Sequence, residues 1–164
     1  MSDFKIIGPV TFDQAIDETS TTQKAPLGMI VQAEDQATTD YGVGEFQYCL
    51  GVASTVVGSA AKIDTSGFAT SLLTANDTGQ VGTAMSINVA SQYGWYQISG
   101  LGVVKGLASL ADNKPAYATA TAGSIDDAAV SGDLVYGMTT ASAIDTPSSG
   151  LALVNLSRPF VMDA

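Results

Sequence analysis

Short apolar runs alternate with turn residues along most of this chain. From Gly28 onward the runs recur about every 8–12 residues, which is typical of all-β sandwiches and barrels. The runs that predict strands are residues 29–33, 45–50, 55–63, 68–73, 81–85, 93–98, 100–107, 116–121, 134–136 and 151–156. The pattern predicts an all-β fold, a compact β-sandwich or β-barrel of the jelly-roll kind. Within it, only residues 85–92 and 125–130 could form short helical turns.

The run at residues 93–98 carries the only tryptophan of the chain. Successive side chains of a strand point to opposite faces. Tyr93 and Trp95 therefore share one face, and Tyr96 and Ile98 share the other. Because both faces are apolar, we expect this strand to lie centrally in the sheet or to face a neighbouring subunit.

The first 27 residues differ from the rest. An apolar start with Phe4, Ile6 and Ile7 is followed by Gly8-Pro9 and by a polar, Thr-rich stretch that Pro26 closes. No apolar periodicity supports a long helix here. We predict an extended N-terminal arm over residues 1–27 and a β domain over residues 28–164. A first strand followed by a long loop is the alternative.

Acidic residues dominate the charge of the chain. It has 16 Asp and Glu against 6 Lys and Arg, a net charge of −10. Nucleic-acid binding needs clustered basic residues, and anionic membranes attract basic segments, so neither partner is expected. Only 13% of the residues are charged, below the usual ~25%. Neutral polar side chains or partner proteins must cover the remaining surface.

The residue types that carry most enzyme chemistry are scarce. The chain has no histidine and one cysteine, Cys49. Histidine is the usual general base near neutral pH, and His and Cys clusters hold most zinc ions. We therefore expect no catalytic residues, no metal and no cofactor, and interpret the chain as a non-enzyme with Cys49 as a buried small side chain.

Targeting signals are also missing from the pattern. Residues 1–5 lack the basic start and apolar run of a signal peptide, and no stretch approaches the ~18 apolar residues of a membrane helix. We expect synthesis in the cytoplasm without a standard export signal.

Two acidic segments invite a chemical interpretation. Asp126 and Asp127 are adjacent carboxylates, but neighbours on a strand point to opposite faces, which argues against a paired acid and base. Residues 76–79, Asn-Asp-Thr-Gly, do not match the spacing of a calcium loop. Both segments are interpreted as surface turns.

Three aromatic residues lie close together in the chain. Tyr93, Trp95 and Tyr96 could form a platform on which a sugar stacks. They could equally form a core or a subunit interface, where tyrosine and tryptophan are enriched. We favour the core or the interface.

Four segments carry a resemblance to a known class. They are GEFQYCLGVA at residues 44–53, NVASQYGWYQISG at 88–100, ATATAGSIDD at 118–127 and GDLV at 132–135. Over about residues 28–160 the chain resembles small head proteins of tailed bacteriophages, of the decoration or cement kind. The resemblance implies a compact β domain outside an icosahedral shell, often trimeric or dimeric, with no catalytic residues.

The resulting expectation is a structural virion protein on the outer capsid surface. It would bind the major capsid protein, bridge neighbouring capsomers and form a homotrimer, with a dimer as the second choice. The expected interface residues, for self-association or for the capsid, are Phe4, Ile6, Ile7, Tyr93, Trp95 and Tyr96. A carbohydrate-binding or adhesin module on the virion surface is the alternative.

Overall fold

Twelve β-strands account for the regular structure of the residues that the structure describes. The computed structural model describes residues 3–38 and 40–163, and within them it contains strands but no helix. The strands are β1 (Phe4–Ile7), β2 (Thr19–Ser20), β3 (Ile30–Asp35), β4 (Val43–Leu50), β5 (Ala60–Ile63), β6 (Thr70–Leu72), β7 (Gly79–Ala84), β8 (Tyr93–Lys105), β9 (Pro115–Ala118), β10 (Ile125–Asp126), β11 (Leu134–Thr140) and β12 (Leu151–Val161). The all-β prediction is confirmed.

The strands form one hydrogen-bonded network, and its ladders are antiparallel. Its main path runs β1-β3-β4-β8-β7-β12-β11-β9-β10. β2 joins β8, while β5 pairs with β7 and β6. The prediction of short helical turns at residues 85–92 and 125–130 is wrong. The first segment consists of bends and turns, and the second begins with β10.

β8 is the central element, as the two-faced pattern predicts. Its first half pairs with β4, from Leu50↔Tyr93 to Glu45↔Ser99. Its second half pairs with β12, from Ser157↔Ser99 to Leu151↔Lys105. The strand thus changes partner near Ser99 and continues where the pattern predicts two separate strands.

Gly100 makes this change of partner possible. Its φ is 96°, a backbone conformation that L side chains rarely adopt. A Cβ there would lie 2.7 Å from the carbonyl oxygen of Val43. Because the strand bends at this point, its first half pairs with β4 and its second half pairs with β12.

Apolar side chains gather in three clusters around β8. One contains Phe46, Tyr48 and Trp95 together with residues of the N-terminal segment. A second, containing Tyr96 and Ile98, lies on the opposite face of β8. The third fills the space among β7, β9, β11, β12 and the second half of β8. The predicted division of residues 93–98 into two apolar faces is confirmed.

The N-terminal residues are packed against the sheet. β1 pairs with β3, and Phe4 and Ile16 are buried. The Tyr48 hydroxyl donates to Gln14 Oε1 at 2.6 Å and accepts from the Lys24 amide at 3.1 Å. The extended arm is therefore not confirmed: from residue 3 the segment is a first strand followed by a long loop, which is the alternative interpretation.

Candidate functional site

The six residues expected at an interface differ widely in exposure. Trp95 and Tyr96 are 0% exposed and Phe4 is 4% exposed within a single copy of the chain. These three belong to the core, and because they are buried they cannot contact another molecule in this conformation. Ile6 and Tyr93 are half-buried. Only Ile7, at 37%, is exposed.

Burial also removes the aromatic platform proposed for sugar stacking. Trp95 packs on Tyr48 with ring centroids 4.8 Å apart and on Phe12 at 5.9 Å. Tyr96 lies on the other face of β8, where its hydroxyl is 3.2 Å from Thr70 Oγ1 and accepts from Asn88 Nδ2 at 3.3 Å. The two rings point into different clusters, so they share no surface.

Cys49 is a core side chain. It is 0% exposed, and burial raises the pKa of its thiol to about 12. A thiolate is the form that reacts as a nucleophile. The environment of Cys49 therefore suppresses the reactive form, in line with its interpretation as a buried small residue.

The adjacent carboxylates Asp126 and Asp127 accept hydrogen bonds from different groups of the protein. Asp127 accepts a hydrogen bond from the Ala111 amide at 3.2 Å. Asp126 accepts one from Ser109 at 3.5 Å. Each carboxylate holds the loop that follows β8.

The turn at residues 76–79 is built from internal contacts. Asp77 pairs with Lys62 through one oxygen and accepts from the Thr74 amide at 2.9 Å through the other. The Asn76 amide donates to the buried Asp133 at 2.6 Å. Both carboxylates are engaged by the protein itself, which supports the interpretation of this segment as a turn.

An apolar groove lies where β12 ends beside β3. It encloses about 410 Å³, and Ile30, Phe160 and Met162 are among its lining residues. Ile30 is 38% exposed, Phe160 42% and Met162 49%. Next to the groove Tyr136 stacks on Phe160, with ring centroids 5.1 Å apart. We call this surface, defined by Ile30, Tyr136, Arg158, Phe160 and Met162, the groove face.

Arg158 forms the charged rim of the groove face. Its Nη2 lies 3.1 Å from Glu45 Oε1, and its Nε donates to Glu45 Oε2 at 3.2 Å. Hydrogen bonding to this carboxylate raises the pKa of the guanidinium. The bidentate pair makes the rim electrically neutral.

A second apolar area lies at the other end of β12. Val56 is 40% exposed and Ile87 57%. With Lys105 and Leu151 they line a cleft of about 340 Å³. We call these four residues the second patch. From Leu151 to Val161 the strand is about 30 Å long at ~3.3 Å per residue, so the two surfaces are well separated.

Sequence reasoning missed both surfaces. The predicted strand over residues 151–156 ends before Phe160, and the one over residues 134–136 ends at Tyr136. A continued alternation was the available signal: Asn155 and Ser157 point outward before the irregularity at Arg158, and Phe160 points outward after it. An outward-facing aromatic residue that adjoins other exposed apolar residues marks a candidate contact surface.

The rest of the described chain offers no obvious chemical centre. Within residues 3–38 and 40–163, His, Cys, Asp and Glu side chains do not assemble into a group that could hold a metal ion. The same residues include no helix long and apolar enough to cross a membrane. Comparison with protein-family models, with curated proteins and with solved structures gave no match to this chain.

Proposed function

We propose that this chain is a structural virion protein that binds the outside of an icosahedral phage capsid. There it bridges neighbouring capsomers through contacts with the major capsid protein, and it acts as a homo-oligomer. The observation that carries the proposal is the pair of apolar surfaces at opposite ends of β12. A bridging protein needs at least two separated contact surfaces on a rigid body, and this arrangement supplies them.

The physical advantage of bridging is multivalency. Once one contact has formed, the second becomes intramolecular, so modest interfaces combine into tight attachment. The continuous strand network supports this role because it fixes the distance between the two surfaces. Two apolar areas on a flexible tether would lose part of the gain to the entropy of closing the linker.

The charge of the chain is consistent with an outer position. A protein with net charge −10 would be repelled by the packaged, negatively charged genome on the inside of a shell. On the outside, the same charge keeps decorated particles apart in solution.

Reconstitution on capsids tests the proposal. Capsids assembled from the virus that encodes this chain, with its gene deleted, are mixed with purified protein, pelleted and imaged by electron microscopy. We expect saturable binding at symmetric positions and slower heat disruption of the shell. Pelleted capsids that carry no bound chain, together with native particles that lack it, would contradict the proposal.

Single substitutions identify the surface that binds. Ile87→Ser removes an exposed apolar side chain from the second patch, and we expect about tenfold weaker capsid binding. Val130→Ser is the matched control, since Val130 is 50% exposed but lies outside both surfaces. Equal loss in both variants would show that the second patch has no special role.

A further inference from the structure

Most cations of this chain are neutralised within the fold. The chain has 6 Lys and Arg side chains against 16 carboxylates. Those with a carboxylate oxygen within 4.0 Å are Lys5 beside Asp3, Lys24 beside Asp13, Lys62 beside Asp77 and Arg158 beside Glu45. Among residues 3–38 and 40–163, Lys105 and Lys114 form no ion pair within that distance. In so acidic a chain, an unpaired cation is the exception.

The two unpaired lysines lie in different surroundings. Lys114 is exposed directly before β9, where water solvates its ammonium group. Lys105 is half-buried at the end of β8 and lines the cleft of the second patch. Val56 and Ile87, which are exposed and apolar, line the same cleft. Lys105 is thus an unpaired charge inside a surface whose other side chains favour contact with an apolar partner.

A partner that covers the second patch has to compensate for the charge of Lys105. Removing an ammonium group from water without a counter-charge is strongly unfavourable. A carboxylate next to the cleft, that of Asp145, accepts a hydrogen bond from the Gly150 amide at 2.7 Å and so holds the loop that forms the cleft wall. The compensating anion therefore comes from the partner.

We propose that the second patch binds a segment of the partner protein that is uncharged except for one Asp or Glu. Its carboxylate pairs with Lys105, and an apolar side chain beside that carboxylate packs on Val56 and Ile87. A hydrogen bond between an ammonium group and a carboxylate is assisted by both charges. The apolar contacts exclude water around it, which strengthens the electrostatic attraction.

Charge selects against the other possible occupants of this cleft. A basic segment would place a like charge against Lys105. A second copy of this chain carries the same net charge of −10, and a nucleic acid is also strongly negative, so both are repelled by the molecule as a whole. A segment with a single carboxylate meets little of that repulsion, because charges more than ~8 Å away are screened at physiological ionic strength.

This inference rests on the proposed function in taking the second patch as a contact surface. It adds the chemistry that the patch recognises, an apolar segment with one carboxylate. The first test uses the purified chain without capsids, so its outcome is independent of capsid binding.

Two matched tripeptides test the charge requirement. The probe is acetyl-Leu-Glu-Leu-amide, and its neutral control is acetyl-Leu-Gln-Leu-amide, which has nearly the same size. NMR follows binding through the methyl signals of Val56 and Ile87. We expect saturable shifts with the Glu peptide at roughly millimolar concentration, and a dissociation constant about fivefold higher for the Gln peptide. Raising the ionic strength from about 0.05 M to about 0.5 M should bring the two constants closer together.

Substitutions at Lys105 assign the preference to its ammonium group. Lys105→Met keeps an apolar stem and removes the charge, so both tripeptides should bind equally. Lys105→Arg keeps the charge and should retain the preference. Lys114→Met removes an unpaired cation that does not line the cleft and should behave like the unmodified chain. Absence of saturable shifts, equal affinity of the unmodified chain for both tripeptides, or a preference that survives Lys105→Met would each overturn the proposal.

Capsid binding separates this inference from the proposed function. Where the unmodified chain decorates capsids, Lys105→Met should weaken binding about tenfold, and Lys114→Met should leave it unchanged. Decoration that Lys105→Met does not weaken would contradict the inference and leave the proposed function in place. A preference for the Glu peptide in a chain that binds no capsid would contradict the proposed function and support the inference.

Discussion

Cys49 illustrates how a chemically conspicuous residue is used for packing. Because burial raises the pKa of its thiol to about 12, the folded protein should resist alkylation at pH 9, where an exposed thiol is largely ionised. We expect iodoacetamide to label the native chain far more slowly than the urea-unfolded chain. Cys49→Ala should fold and lose about 1–2 kcal/mol of stability. Rapid labelling of the native protein would show that the site opens.

Asp35 predicts a pH-dependent contribution to stability. Burial raises the pKa of its carboxyl, but hydrogen bonds from Thr38 Oγ1 at 2.7 Å and from the amides of Asp3 and Ala37 outweigh this, so the pKa lies below its usual value. A lowered pKa stabilises the fold above the unfolded value near 3.9, and this contribution is lost as the pH falls through the folded pKa.

The variant Asp35→Asn tests that assignment. It should unfold at lower urea concentration than the unmodified chain at pH 7, and the difference should shrink as the pH drops below about 4. Asp112→Asn, at an exposed loop position, is the control and should leave the midpoint nearly unchanged. A difference that is constant with pH would mean that the Asp35 charge has no part in it.

At the level of elements, the bend in β8 depends on Gln97. This residue is 0% exposed, and its Nε2 donates to the carbonyls of Ser99 at 3.1 Å and Leu101 at 3.0 Å. Its amide thus bridges the backbone on both sides of Gly100. A Cβ at Gly102 would lie 2.4 Å from Gln97 Oε1, so the amide fits only because Gly102 lacks a side chain.

Gly102→Ala should therefore disturb the bend. We expect a loss of about 1–3 kcal/mol in the free energy of unfolding, because a well-packed interior does not accept an added methyl without displacement. Gly67→Ala is the matched control: the nearest atom to its Cβ would be 3.6 Å away, in ordinary contact. The measurement is urea unfolding of both variants. Equal stability of the two would show that Gln97 can shift without cost.

How well the sequence predicts these elements depends on how far apart in the chain the interacting residues lie. The period of two within residues 93–98 is local, and it correctly places Trp95 and Ile98 on opposite apolar faces. That β8 runs on through Gly100 depends on β4 and β12, which lie far away in the chain and each pair with one half of the strand. A glycine in an apolar run is equally compatible with a turn, so the pattern alone separates the two halves.

For the whole molecule, the long sequence separation of the interacting residues also explains why the packing of the N-terminal segment could not be predicted from the sequence. Residues 1–27 show no long periodicity, because apart from the short ladders of β1 and β2 their contacts with the sheet are single anchors: Phe4 in the edge strand, Ile16 in the core, and Gln14 hydrogen-bonded to Tyr48. Each anchor depends on a partner more than 25 positions away in the sequence. The candidate surfaces were missed for a related reason, since exposure of Phe160 is decided only when the sheet is complete.

The packing of this segment leads to a prediction about the stability of the whole molecule. Ile16 is 1% exposed, in the cluster that contains Trp95. Ile16→Ala should lower the free energy of unfolding by about 2–5 kcal/mol, because it leaves a cavity in the core. Val10→Ala changes a residue that is 52% exposed in the same segment, and we expect an effect within about 0.5 kcal/mol.

Deletion of residues 1–24 extends this test to the entire segment. The truncated chain loses β1, β2 and the three anchors, Phe4, Gln14 and Ile16, which uncovers the cluster around Trp95. As Trp95 is the only tryptophan, its emission reports directly on that cluster. We expect red-shifted fluorescence and a lower melting temperature than for the full chain. If the truncated protein instead keeps the native emission and melts like the full chain, while Ile16→Ala is also neutral, the segment is a detachable arm and the β domain is complete without it.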